Sequence, residues 1–297
     1  MPDRTRWASI VAAAVFIGAP APAAAQGVPA TDIYLAPLSM RGGRPVVGAA
    51  ANVTHRAGYD NQPSFTPDGR AMLFTSIHDD GQADIYRYDL GSKATTRVTA
   101  TAESEYSPTM MPGGHRFSVI RVEKDSAQRL WSFALDGSDP RIVIESLEPV
   151  GYHAWLDANT LVMFVLGSPN ALVAGDLRTG RMDTLARRIG RSLARIPDGS
   201  GFSFTQTVDS ARMLRTMRAP GRPQRDLVAL PRGSEDIVWL DGRTVLAGSG
   251  SSILVWRRGS AAWAEVADLS GPGLTQISRL AVSPDGRWLA IVAVPRR

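Results

Sequence analysis

Pro63-Ser-Phe-Thr-Pro-Asp-Gly-Arg-Ala-Met-Leu-Phe-Thr-Ser76 recurs near the other end of the chain as Leu280-Ala-Val-Ser-Pro-Asp-Gly-Arg-Trp-Leu-Ala-Ile-Val-Ala293. Each copy reads as a short apolar strand, a tight reversal and a second strand. Pro presets φ for the second position of such a turn, Asp bonds its own backbone, and Gly accepts positive φ. Looser copies follow the same plan. Met111-Pro-Gly-Gly114 precedes Phe117-Ser-Val-Ile120, and Pro197-Asp-Gly199 precedes Phe202-Ser-Phe-Thr205. Trp155-Leu-Asp-Ala-Asn-Thr-Leu-Val162 and Trp239-Leu-Asp-Gly-Arg-Thr-Val-Leu246 each have a turn one residue shorter. The turn markers Asp68, Gly113, Asp157, Asp198, Asp241 and Asp285 are 45, 44, 41, 43 and 44 residues apart.

A period of this size indicates a solenoid or a propeller. The first unit holds four strand-like runs, Ser64 to Thr66, Ala71 to Ser76, Asp84 to Leu90 and Thr95 to Thr99. Four antiparallel strands per repeat make a propeller blade. The sixth unit supplies only two strands, Arg279 to Ser283 and Trp288 to Val294. An open edge there would invite aggregation. The N-terminal segment offers the missing strands: Asp32-Ile-Tyr-Leu-Ala-Pro-Leu38 matches Asp84-Ile-Tyr-Arg-Tyr-Asp-Leu90, and Val46 to Val53 reads as a fourth strand. The expected fold is all-β, a six-bladed propeller of four-stranded antiparallel blades, with blade six formed by residues 277–297 plus 32–55.

Residues 1–25 read as an export signal rather than as part of this fold. Arg4 and Arg6 give a basic start, Trp7 to Ala19 is an apolar run of 13 residues, and Ala23 and Ala25 form an A-x-A cleavage site. The run is too short to span a bilayer. The propeller is then expected to occupy residues 26–297, monomeric, not membrane-spanning, and periplasmic or secreted. The chain has no Cys, which removes disulfides, thiolate catalysis and Cys-ligated metals. Its net charge of +5 comes from scattered Arg residues rather than a stripe interleaved with aromatics, so nucleic acid is not an expected partner.

The stretch from Tyr59 to Leu90 resembles the repeat of the TolB-like propeller family. Pro63, Phe65, Pro67-Asp68-Gly69, Phe74-Thr75-Ser76, Gly81 and Asp84-Ile85-Tyr86 carry the resemblance. It implies an envelope protein that binds a protein or peptide. TolB itself has an α/β domain before its blades, whereas about six residues separate the signal from the first strand here, so a Tol–Pal subunit is not expected.

No G-x-S-x-G, H-E-x-x-H or H-x-x-x-H occurs, and the four His are His55, His78, His115 and His153. His78 and His115 fall in turns. His153 lies on an innermost strand, two residues before Trp155. Loops and inner strands at one end of the ring offer Asp60, Asn61 and Gln62; Glu103, Glu105 and Tyr106; Tyr152 and His153; Arg191 and Arg195; Glu235 and Asp236; and Gln276 with Arg279. These are expected to converge on one mouth of the channel, with Asn61, Glu105, Tyr106, His153, Arg195 and Asp236 as candidate binding residues. No cofactor is required by this set. Convergent carboxylates could instead hold Ca²⁺ or Mg²⁺, as in a lactonase-type hydrolase, which is the alternative reading. A carbohydrate-binding module is a third.

Overall fold

A computed structural model describes residues 30–78 and 81–295. The expected export signal, residues 1–25, lies outside these residues. The described chain folds into six antiparallel sheets of the expected kind, one per repeat. Blade one comprises Tyr59–Phe65, Ala71–Ile77, Ala83–Asp89 and Thr95–Arg97, in sequence order from the channel outward. The innermost strands of blades two to six are Ser104–Met110, Val150–Trp155, Ile189–Arg195, Ile237–Trp239 and Leu274–Val282.

The repeated turns behave as their residue types dictate. Asp68 accepts hydrogen bonds from the Thr66 hydroxyl and the Arg70 amide, which hold its carboxyl below the ordinary carboxylate range, and Gly69 takes φ +68°. Asp285 does the same with Ser283 and Arg287. In the shorter turns, Asp157 caps Asn159 and Thr160, and Asp241 caps Arg243 and Thr244. All five Asp markers are therefore bonded within their own turns or to residues beside them.

Blade six closes the ring with both halves of the chain. Asp32–Arg41 pairs with Trp288–Pro295 in the register Asp32↔Ala293 to Pro37↔Trp288. The expected single fourth strand over Val46 to Val53 is instead two pieces. Asp32–Arg41 runs on past the blade and reverses at Gly42-Gly43, both at positive φ, so that Arg44–Val47 pairs back along it. A two-residue loop with both central residues at positive φ matches the twist of a hairpin, and glycine takes that geometry without strain. Only Ala51–Asn52 then lies beside the first half of the strand, at Tyr34 and Leu35.

Apolar faces of neighbouring blades fill the spaces between sheets. Ile33, Leu35, Phe65, Met72, Phe74, Ala290 and Val292 join blades six and one across the closure. Two Trp side chains add directed contacts. Trp155 of blade three donates from Nε1 to Ser118 Oγ of blade two at 2.9 Å, and Trp239 of blade five donates to Ser203 Oγ of blade four at 2.8 Å. These are the two blades with the shorter turn. Trp and Ser thus occupy matching positions two repeats apart.

Candidate functional site

The inner strands share an irregularity that shapes the channel. In blades one, two and six the register slips after the first two or three pairs, at Asn61/Ser64, Tyr106/Thr109 and Thr275/Arg279. The first residue of each slip is non-glycine at positive φ: Gln62 at 60°, Ser107 at 55° and Gln276 at 48°. Such bulges cost about 1–3 kcal/mol of local strain each and re-aim side chains, which is why they gather at rims and sites. Gln62 uses its turn to bind the next blade. Its Oε1 accepts from Thr75 Oγ1 at 2.7 Å and from the Ser107 amide at 2.8 Å.

Beyond the bulges, all six blades contribute to a central cavity of about 320 Å³. Its wall includes Gln62, Ser107, Tyr152, His153, Arg191 and Arg279, with Arg195 and Asp236. A second cavity of about 360 Å³ shares Arg195, Asp236 and Arg279 and extends toward the Pro197 and Pro284 turns. Tyr59 stands beside the first cavity. Burial pushes its phenol up to about 12, against the lowering effect of the nearby Arg279 and Arg191 charges.

The arginines at this end are only partly matched. Arg279 Nε lies 3.2 Å from Asp236 Oδ2 without hydrogen-bond alignment, and the guanidinium carbon sits 5.0 Å from the centroid of the Tyr152 ring. Arg191 reaches Glu235 at 3.4 Å and donates to the Ser278 carbonyl at 3.1 Å, while its Nε is buried without a partner. Arg195 makes no ion pair among the described residues. The cavity wall therefore carries three guanidinium groups and one carboxylate, Asp236.

His153 is neutral here. Burial drives its pKa down to about 3. Nε2 lies 2.6 Å from Ser118 Oγ, which also accepts from Trp155 and lies 3.2 Å from the Thr109 carbonyl oxygen. The Ser118 proton satisfies Thr109 and its lone pairs take both ring N–H groups when His153 carries its proton on Nε2. Nδ1 is then a free acceptor, buried and without a partner, as is Ser107 Oγ.

Of the six candidate residues, His153, Arg195 and Asp236 line the cavity. Asn61, Glu105 and Tyr106 do not. Successive side chains point to opposite faces of a blade, and each face meets a neighbouring blade, so these three project between blades rather than into the channel. Asn61 contacts Thr31 and caps the Gln62 amide. Glu105 is fully buried against Arg121 Nε at 3.1 Å and the Thr101 hydroxyl at 2.6 Å, and burial raises its pKa. Asp60 is its counterpart in blade one, held by Ser76 and Arg56. Tyr106 packs on the core shared by blades two and three. Sequence reasoning missed Tyr59 and Ser107. The usable signal was the X-Pro pair at one repeat position, Gln62-Pro63 and Ser107-Pro108.

No known protein-family pattern matches the chain. A curated relative, the uncharacterised protein Atu1656 of Agrobacterium fabrum, is 28% identical over 78 residues, which is 26% of each protein. The match thus spans about a quarter of that protein's length. Among solved structures, a TolB-type protein of Agrobacterium tumefaciens superposes with a TM-score of 0.71 at 15% identity, covering 90% of this chain and 99% of that one. A chain of a nidogen–laminin complex gives 0.62 at 13% identity, covering 90% and 100%. An oligogalacturonate lyase in complex with manganese gives 0.54 at 15% identity, covering 90% and 97%. In fold, the chain is a six-bladed propeller like that of the TolB proteins, with the ring closed by its own N-terminal strands.

Proposed function

We propose that this chain is an exported, non-enzymatic binding propeller of the bacterial envelope that receives a protein or peptide partner at the Arg191–Arg279 end of its channel. The observation that carries the reading is the cavity walled by all six blades, whose lining residues include under-matched Arg side chains and side chains with orphaned polar atoms. Buried polar groups left without partners are costly, so a partner supplying hydrogen bonds gains affinity there. The likeness to TolB and to a propeller crystallised in a protein–protein complex supports the same reading. The basic start, apolar run and A-x-A site within residues 1–25 support export, and among the described residues no helix is long and apolar enough to cross a membrane.

Cross-linking and capture from envelope extract tests it. The expected result is a partner recovered with the wild-type chain and lost when Arg191 and Arg279 are both replaced by Gln. Recovery of no partner after cross-linking would count against the reading. A metal-dependent hydrolase is the second reading, motivated by the likeness to a manganese-bound lyase. Metal analysis and a melting curve with added Mn²⁺, Ca²⁺ or Mg²⁺ decide it, because a bound ion raises the melting temperature.

A further inference from the structure

We propose that the Arg191–Arg279 end of the channel is a receptor for a single carboxylate group whose bearer also presents a hydroxyl or N–H donor to His153. The inference deepens the binding reading above and rests on it. Three observations carry it. First, the cavity wall has three guanidinium groups to one carboxylate: Arg191 is met by Glu235 at 3.4 Å, Arg279 lies beside Asp236 without hydrogen-bond alignment, and Arg195 makes no ion pair among the described residues. The Arg279 side chain is only 14% exposed, and Arg191 Nε is buried without a partner. A guanidinium presents five donors in a planar fork, and a carboxylate fills that fork bidentately. Second, His153 Nδ1 and Ser107 Oγ are buried, orphaned and on the same wall. A neutral imidazole nitrogen accepts a hydrogen bond, so a bare anion would leave it unsatisfied. Third, Asp236 stays beside Arg279. Its charge repels a phosphate dianion more strongly than a carboxylate monoanion. Tyr152, on the same wall, holds the Arg279 guanidinium over its ring, with the guanidinium carbon 5.0 Å from the ring centroid.

The bearer can be a free hydroxy acid or an acidic side chain on a partner segment, and one experiment separates the two. Gluconate, the blocked peptide acetyl-Gly-Asp-Gly-Glu-Gly-amide, its Asn/Gln counterpart and inorganic phosphate are titrated into the full mature chain by calorimetry. Saturable binding of gluconate alone identifies a free acid. Binding of the acidic peptide alone identifies a protein-borne one. In either case affinity should fall at least tenfold in Arg191→Gln and in the paired variant Arg279→Gln/Asp236→Asn, which removes both charges so that neither is left buried alone. Arg195→Gln, at an exposed position, gives a further variant whose folding is not at stake and should weaken binding severalfold. Binding of neither acid, equal binding of the uncharged peptide, tighter binding of phosphate, or unchanged affinity in well-folded Arg variants would each overturn the inference. An envelope partner captured equally by the wild type and the Arg variants would overturn it too, yet leave the binding role intact. Gluconate binding without any captured partner would do the reverse.

Discussion

Lowering the pH from 7 to 5 should destabilise this propeller through one side chain, His153. Its folded pKa of about 3 lies below the ordinary 6.5, because burial disfavours the imidazolium. Between those values the unfolded chain binds a proton that the folded chain refuses. Stability from this group is therefore complete above pH 6.5 and is lost as pH falls toward 3. At ~1.4 kcal/mol per unit, pH 5 removes about 2 kcal/mol relative to pH 7. Asp60 and Glu105 act in the opposite direction. Burial raises both, so their contribution is present at low pH and lost as pH climbs through the raised values. The His153→Gln variant isolates the His term, since all other groups are shared. Urea unfolding followed by Trp fluorescence at pH 7 and pH 5 gives the free energies. The wild type should lose about 2 kcal/mol more than His153→Gln over that interval. Equal losses in the two proteins would refute the assignment of His153 as a buried neutral group.

Deleting Thr31 to Thr54 should unfold the whole ring rather than trim it, because it strips the pairing of Asp32–Arg41 with Trp288–Pro295 and exposes the apolar junction of blades six and one. A truncated chain that melts cooperatively at the wild-type temperature would show otherwise. Ser203→Ala should cost ~1–3 kcal/mol in urea unfolding, since it orphans the buried Trp239 Nε1–H. Gly137→Ala should destabilise more severely. That residue sits at φ +84°, and an added Cβ would lie 1.9 Å from the Val98 carbonyl oxygen of the neighbouring blade. Wild-type thermal stability in this variant would mean that the approach of blade two to blade one is looser than drawn.

Repeat period, blade count and ring closure were legible in the chain itself, for a physical reason. The Pro-Asp-Gly turns and alternating strands are local devices, and Asp68 and Asp285 satisfy themselves within a few residues. Asp32 to Leu38 could be placed in blade six because its pattern copies Asp84 to Leu90, and the pairing found is with the last strand of the chain. The site was legible only in part. Placing a residue on an inner strand does not say which way it faces, and the bulges at Gln62 and Ser107 reset that direction by one residue. Glu105 and Asn61 fall between blades, whereas His153, Arg195 and Asp236 line the channel. The sixfold ring was determined by the sequence alone. The excess of guanidinium over carboxylate in the cavity, and the orphaned Nδ1 of His153 beside it, were decided by tertiary structure, because each depends on residues from several blades meeting at one axis.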